Sequence, residues 1–352
     1  MGKISFMFVF MVAFLWGCTE KTETDLPVSL KEAVNLGSND LNAAVSNLSS
    51  SDAFKILTMS AGNMKSASAT NTTYKVYIPL DTIRGLYEYK PGVKPDRWGW
   101  SLIKFFKKTT TNSKMIVKMP LSKVKNPWTL RLFNPADSSL ANNFQISVSD
   151  YHNNYNSYWD YDYINASEIS IDNAVAGNLN IKSIVSPANG TQYASSYSFS
   201  GSYIAKYAYN YNKKDTTVSS FSILSGSKLL YQEKLLTVKN DTARFGREQQ
   251  YSLTIGSVSI VRKAGSASVY VNGVLQPKAT VTVIDKAADS EASVCHKRDI
   301  KITFEDGTTT TISELIGKSV PNMATLFDSL HSVFFASYVV DWIAYDVYYG
   351  RK

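Results

Sequence analysis

SSYSFSGSYIAKYAY, residues 195–209, decides how the rest of the chain is read. Tyr197 and Phe199 stand two apart, and beyond Gly201 so do Tyr203, Ala205, Tyr207 and Tyr209. Strand side chains alternate between two faces, so this period puts the large rings on one side of a sheet and small polar residues on the other. Tyrosine is abundant, at 22 residues against 16 Phe and 6 Trp, and suits such strands because an apolar ring ends in a polar tip.

The alternation extends outward from this stretch. TYKVYIPLD (73–81) and NFQISVSD (143–150) read as strands, and so do SLIKFFKK (101–108) and SKMIVKMP (113–120), the latter two joined as a hairpin by the polar turn TTTN. WTLRLF (128–133) continues the pattern, and so does a long run of short strands from SEISID (167–172) to DIKITFED (299–306). Asn272-Gly273 and Asp306-Gly307 mark tight turns, since these residue types tolerate positive φ. Short strands with few helical gaps predict an α+β, mostly β fold of antiparallel sheets, with a curved sheet or half-barrel as one form of it.

Helices are expected at the two ends. Residues 29–60 open on Ser29 and Glu32, which fit a capping box, and carry an irregular apolar stripe that predicts two short helices broken at Gly37 and the serine run. After Pro321, the residues Met323, Leu326, Phe327, Leu330 and Phe334 fall at helical spacing, with Val339, Trp342 and Ile343 widening the apolar face. A buried C-terminal helix follows, and Asp328, His331, Asp341 and Asp346 argue against a membrane span there. The organisation read from this is a leader at 1–17, a polar tether at 18–27, helices plus a β region at 28–165, and an antiparallel region with the last helix at 166–352, the latter two forming two units or one continuous domain.

The leader has its own logic. Lys3 precedes an apolar run from Ile4 to Leu15, and FLWGCTEK (14–21) then turns polar directly after Cys18. Twelve residues are too few for a helix across a hydrocarbon core, which needs about 20, so the run reads as a signal segment. LWGC resembles the lipobox of bacterial lipoproteins, with Trp16 where that family usually has a smaller residue. The resemblance implies removal of residues 1–17 and attachment of fatty chains to Cys18, with the membrane as partner through that anchor. Two or three acyl chains hold a protein stably on a bilayer. Cys295 then remains as the second of the chain's 2 cysteines, and no intrachain disulfide is expected.

Composition narrows the function classes. The chain has 37 basic and 29 acidic residues, but its Lys and Arg are scattered, which suits a solvated basic surface and not a nucleic-acid partner. No G-x-S-x-G elbow, Walker loop, dinucleotide fingerprint or H-E-x-x-H pair occurs. Neither a cofactor nor a metal is called for: Cys295 and His296 are adjacent and on a strand would point to opposite faces. Asp160 and Asp162 begin like a calcium loop, yet Asn165 stands where that loop needs glycine and Ile171 where it needs glutamate.

The most biased segment is YHNNYNSYWDYDY, residues 151–163. Aromatic faces stack on sugar rings while Asn and Asp bind hydroxyl groups, so Tyr155, Tyr158, Trp159 and Tyr161 are candidate ligand-binding residues. A loop or edge hairpin packing its rings on its own domain is the competing reading. The lipobox together with the Tyr- and Asn-rich β composition resembles envelope lipoproteins of the Bacteroidetes. That resemblance implies an outer-membrane location facing the periplasm or the surface, and O-glycosylation at Asp-Thr pairs, here Thr82, Thr216 and Thr242. The expected role is a non-catalytic binding or structural module of the envelope. The alternatives are a carboxylate-dependent hydrolase and a carrier holding a hydrophobic small molecule between sheet and C-terminal helix.

Overall fold

The computed structural model describes residues 29–59, 75–90, 101–109, 112–124, 139–199, 202–212, 215–242, 246–285, 298–331 and 335–350. Helix α1 (Leu30–Ser50) is capped by Ser29, whose hydroxyl accepts from the Glu32 amide at 3.3 Å. It breaks at Ser51, which is extended and whose side chain accepts from the Phe54 amide to start α2 (Asp52–Met59). Two helices form, as the stripe predicts, but Gly37 is not the break. It lies inside α1, where a Cβ would come 2.8 Å from the carbonyl oxygen of Ile255. The glycine therefore sets how closely α1 approaches the sheet, a role that helix propensity does not register.

Next come β1 (Val76–Pro79), α3 (Leu80–Ile83), β2 (Gly85–Tyr89), β3 (Phe106–Lys108) and β4 (Met115–Met119). The expected hairpin between SLIKFFKK and SKMIVKMP does not form. Residues Leu102–Phe105 make a 3-10 turn, and β2 inserts between β3 and β4, parallel to β4. An interior position buries Tyr87 and Tyr89, which a peripheral one would leave in water. WTLRLF lies outside the described residues.

Strands β5 (Phe144–Ser157), β6 (Asp160–Ile171), β7 (Ala174–Ser186), β8 (Gly190–Phe199), β9 (Tyr203–Asn212) and β10 (Thr216–Ser225) then pair in chain order. The antiparallel meander continues through β11 (Lys228–Lys239), β12 (Arg247–Ile255), β13 (Val258–Lys263), β14 (Ser266–Val271) and β15 (Val274–Leu275). With β1 to β4 this is one 15-stranded sheet, and it runs unbroken through residues 165 and 166 in the middle of β6. Asn272 and Gly273, with φ of 49° and 79°, turn β14 into β15 as the sequence predicts. β16 (Thr280–Asp285), β17 (Arg298–Thr303) and β18 (Thr309–Thr311) form a second small sheet.

Three helices close the chain: α4 (Ile312–Ile316), α5 (Val320–His331) and α6 (Phe335–Tyr348). The predicted C-terminal helix is present as α5 and α6, with residues 332–334 between them outside the described residues. The carbonyl of Leu330, near the end of α5, accepts from the Tyr193 and Ser195 hydroxyls on β8, whereas α6 lies over β5 and β6. Helices α1, α2, α5 and α6 cover one face of the sheet with a continuous core that includes Leu41, Phe144, Tyr197, Leu326 and Ile343. Lys182, Lys206 and Lys234, on the other face, are exposed.

Candidate ligand-binding site

The β5–β6 hairpin and α6 build the site. In β5, Phe144, Ile146 and Val148 face the core, all fully buried. A bulge between Val148 and Asp150 then shifts the parity, so Tyr151, Asn153 and Tyr155 take over that face. The Tyr151 hydroxyl donates to Asp341 of α6 at 3.0 Å, and the Asn153 amide donates to the Tyr345 hydroxyl at 3.1 Å. On β6 the Tyr163 hydroxyl donates to the same carboxylate at 3.1 Å while accepting from Asn165. Four residues along α6 thus match two along β5, as a rise of about 1.5 Å per helical residue against about 3.4 Å per strand residue requires. Helix and hairpin run side by side toward the same end of the molecule.

Burial governs the chemistry of this contact. It pushes the Asp341 carboxyl up to about 7, outweighing the two hydroxyls that favour its charged form. Burial also raises the Tyr345 hydroxyl to about 12, with the nearby Asp341 charge adding to it and neighbouring Tyr349 and Tyr155 contributing. Asp341 is therefore a structural acid, engaged by its own fold. Asp346, on the same helix, is buried and accepts from the Ile103 amide at 3.0 Å.

Beyond this contact the rings emerge into solvent. Tyr155 and Tyr161 stack across the hairpin at 6.5 Å with 24° between planes, and Tyr161 shares a hydrogen bond with Ser183 of β7. Tyr158 and Trp159 form the two-residue turn itself, 65% and 69% exposed, with their rings edge to face at 4.9 Å. Neither has positive φ, and the turn holds no glycine; it is closed by Ser157 accepting from the Trp159 amide and by Asn156 donating to Asp160. Such turns ordinarily use Asn-Gly or Gly-containing pairs. Two large rings in this position add nothing to the core.

All four residues singled out from the sequence thus belong to one hairpin: Tyr155 and Tyr161 are half-buried on its shaft, and Tyr158 and Trp159 stand free at its tip. The segment is neither a loop nor an edge, because β1, β4 and β7 flank it. His152 lies on its opposite face, 3.0 Å from Asp162. Cys18, Cys295 and His296 lie outside the described residues. Of the three candidate modification sites, Thr82 on α3 and Thr242 beside Asn240 are exposed, and Thr216 at the start of β10 is half-buried.

Sequence reading missed the end of α6. Tyr345 stacks on Tyr349 at 6.3 Å and 12°, and Tyr348 meets Tyr349 edge-on at 5.2 Å. Their spacing at i, i+3 and i+4 was a legible signal for one helix face, masked by the apolar pattern upstream. The molecule is, in class, a mostly β protein whose large antiparallel meander carries its helices on one face and an aromatic hairpin tip beside the last of them. No protein-family model matches the chain, and neither a curated protein nor a solved structure matches it.

Proposed function

We propose that this is a lipid-anchored protein of the cell envelope, held at the outer membrane through Cys18, which acts as a non-catalytic binding module and takes glycan at the β5–β6 tip. The observation that carries the binding reading is the exposed Tyr158–Trp159 turn, where two rings remain in water although the core beneath is complete. Asn156 and Asp160 beside them supply amide and carboxylate groups of the kind that bind sugar hydroxyls. The anchor reading rests on the lipobox, and among the described residues no helix is long and apolar enough to cross a membrane. Leu30, where the body begins, packs on β13 and β14. β13 and β6 are seven strand spacings apart, about 34 Å along the sheet at ~4.8 Å each, so the hairpin lies well away from Leu30.

The packing gives less support to the alternatives. α1, α2, α5 and α6 fill the sheet face that a hydrophobic cargo would need, and the pocket under α1, lined by Val34, Leu253 and Ile260, has room for about one water. A hydrolase would need free paired carboxylates, whereas Asp341 and Asp346 are engaged within the fold.

Two experiments test the proposal. Cys18→Ser should release the protein from the membrane fraction and abolish labelling by radioactive palmitate; membrane retention without label would overturn the anchor. Tyr158→Ala with Trp159→Ala should abolish retention on a glycan array, and an unchanged array profile would overturn the tip. Protease shaving of intact cells reads surface against periplasmic display.

A further inference from the structure

Resting on that reading, the structure assigns a ligand class: we propose that the site takes an uncharged polysaccharide chain, held over several sugar rings along a strip from the Tyr158–Trp159 tip to Tyr348 and Tyr349 at the end of α6. Two observations carry this independently.

The first is the succession of rings. The hairpin and α6 run in the same direction, because Asp341 meets Tyr151 and Tyr163, and Tyr345, one turn later, meets Asn153. Tyr348 and Tyr349, 40% and 43% exposed, come a further turn along and so lie toward the tip end. Tyr155 stacks on Tyr161 along the hairpin below the tip, and Tyr345 stacks on exposed Tyr349 at the end of α6. A single sugar would use one ring; a strip of rings fed by two elements suits a chain.

The second is charge. The chain carries a net +8, yet no Lys or Arg occurs from residue 132 to residue 181, a span that contains the whole hairpin, and none occurs on α6. Asp150, Asp160, Asp162, Glu168 and Asp172 all fall within that span. Uronate chains, phosphorylated glycans and anionic headgroups would meet these acids on the hairpin itself, with exposed Lys75, beside the Val76 that pairs with Tyr155, as a cation on the neighbouring strand. A polycation gains little here, because Asp160 is the single carboxylate among residues 156–160 and Asp162 pairs with His152 on the other face. Ring faces with neutral amides and hydroxyls remain, and these match sugars without charge.

The test is affinity electrophoresis of the mature protein in gels containing a β-glucan, an α-glucan, a mannan, a xylan, polygalacturonate or chitosan, followed by calorimetry with hexasaccharide and disaccharide of the best neutral glycan. At least one neutral polymer should retard the wild type, with polygalacturonate and chitosan inert. Tyr348→Ala with Tyr349→Ala should weaken hexasaccharide binding about tenfold and leave disaccharide binding unchanged, and the double Tyr→Phe variant, which keeps the rings, should restore it. Stronger retention by polygalacturonate or chitosan overturns the charge assignment. Unchanged hexasaccharide binding in the α6 variant, with loss in the tip variant, overturns the strip while the tip reading stands. Retention by none of the polymers overturns both.

Discussion

The Tyr163 hydroxyl on β6 donates to the carboxylate of Asp341 on α6 at 3.1 Å, and Tyr151 on β5 donates to the same group. This contact docks the last helix against the hairpin that carries the candidate site. Because burial holds the Asp341 carboxyl up at about 7 against 3.8 in an unfolded chain, the contact ties stability to pH. Below about 3.8 both states are protonated and the contribution is fully present; as pH rises to about 7 the unfolded chain gives up its proton first, and stability falls. About three pH units of separation correspond to roughly 4 kcal/mol as an upper bound. Asp306 acts in the opposite sense and in a different window, because its bonds to Thr308 and Lys31 lower it to about 2 and favour the fold only above that pH.

Asp341→Asn keeps the shape and removes the titration. Urea unfolding followed between pH 4 and 8 should show the wild type losing stability across this range while the variant stays nearly flat and exceeds the wild type at pH 8. An equal slope in both proteins would place the titrating group elsewhere.

Gly37→Ala separates helix propensity from packing. Propensity alone favours alanine inside α1 by about 1 kcal/mol. The added Cβ, however, would sit 2.8 Å from the Ile255 carbonyl oxygen, and a Cβ on facing Gly256 would likewise come 3.0 Å from the Gly37 Cα. Backbone on both sides leaves nothing flexible to yield, so the variant should be destabilised by about 1–3 kcal/mol in denaturant melts. A stabilised variant would show that α1 sits farther from the β12–β13 turn.

Tyr158→Ala with Trp159→Ala should cost the fold little, within about 0.5 kcal/mol per site, since exposed positions away from caps and cores usually change stability by no more than that. Thermal melts monitored by circular dichroism check it. A collapse of the melting temperature would mean that the rings pack on the protein, and would remove the reason for assigning them a ligand.

If the chain receives the O-glycans implied by its resemblance, Thr242 should carry one. It is exposed in the turn after β11, and its hydroxyl bonds only locally, to Asn240 at 2.7 Å. Ser329, which also follows an aspartate, is 2% exposed and donates to the Thr325 carbonyl inside α5, so it should be unmodified. Peptide mass spectrometry of protein from its native envelope reads both sites.

Most of the sheet was legible because a period of two is a local property, visible in pieces such as 195–209 and confirmed turn by turn at Asn272-Gly273. Pairing order was less so. β2 lies parallel to β4 and splits an expected hairpin, since GLYEY gains burial of Tyr87 and Tyr89 only in an interior position that the neighbouring sequence does not specify. Tyr155, Tyr158, Trp159 and Tyr161 stood out through composition alone, but which of them face water depends on the register shifts after Val148 and after Tyr155, each of which changes the side-chain parity of the strand beyond it. Asp341 looked like an interruption in an apolar helix because its two tyrosine partners lie 178 and 190 residues away.

By itself the amino-acid order determined the strand-rich class, the capped helix at Ser29, the glycine turns and the concentration of rings at 151–163, because periodicity, capping and turn chemistry act over a few neighbouring residues. Only the tertiary structure decided that α6 lies along the hairpin and that Asp341 is held by Tyr151 and Tyr163. Those outcomes arise from burying apolar surface between segments far apart in the chain, and such contacts leave no mark in either segment read alone.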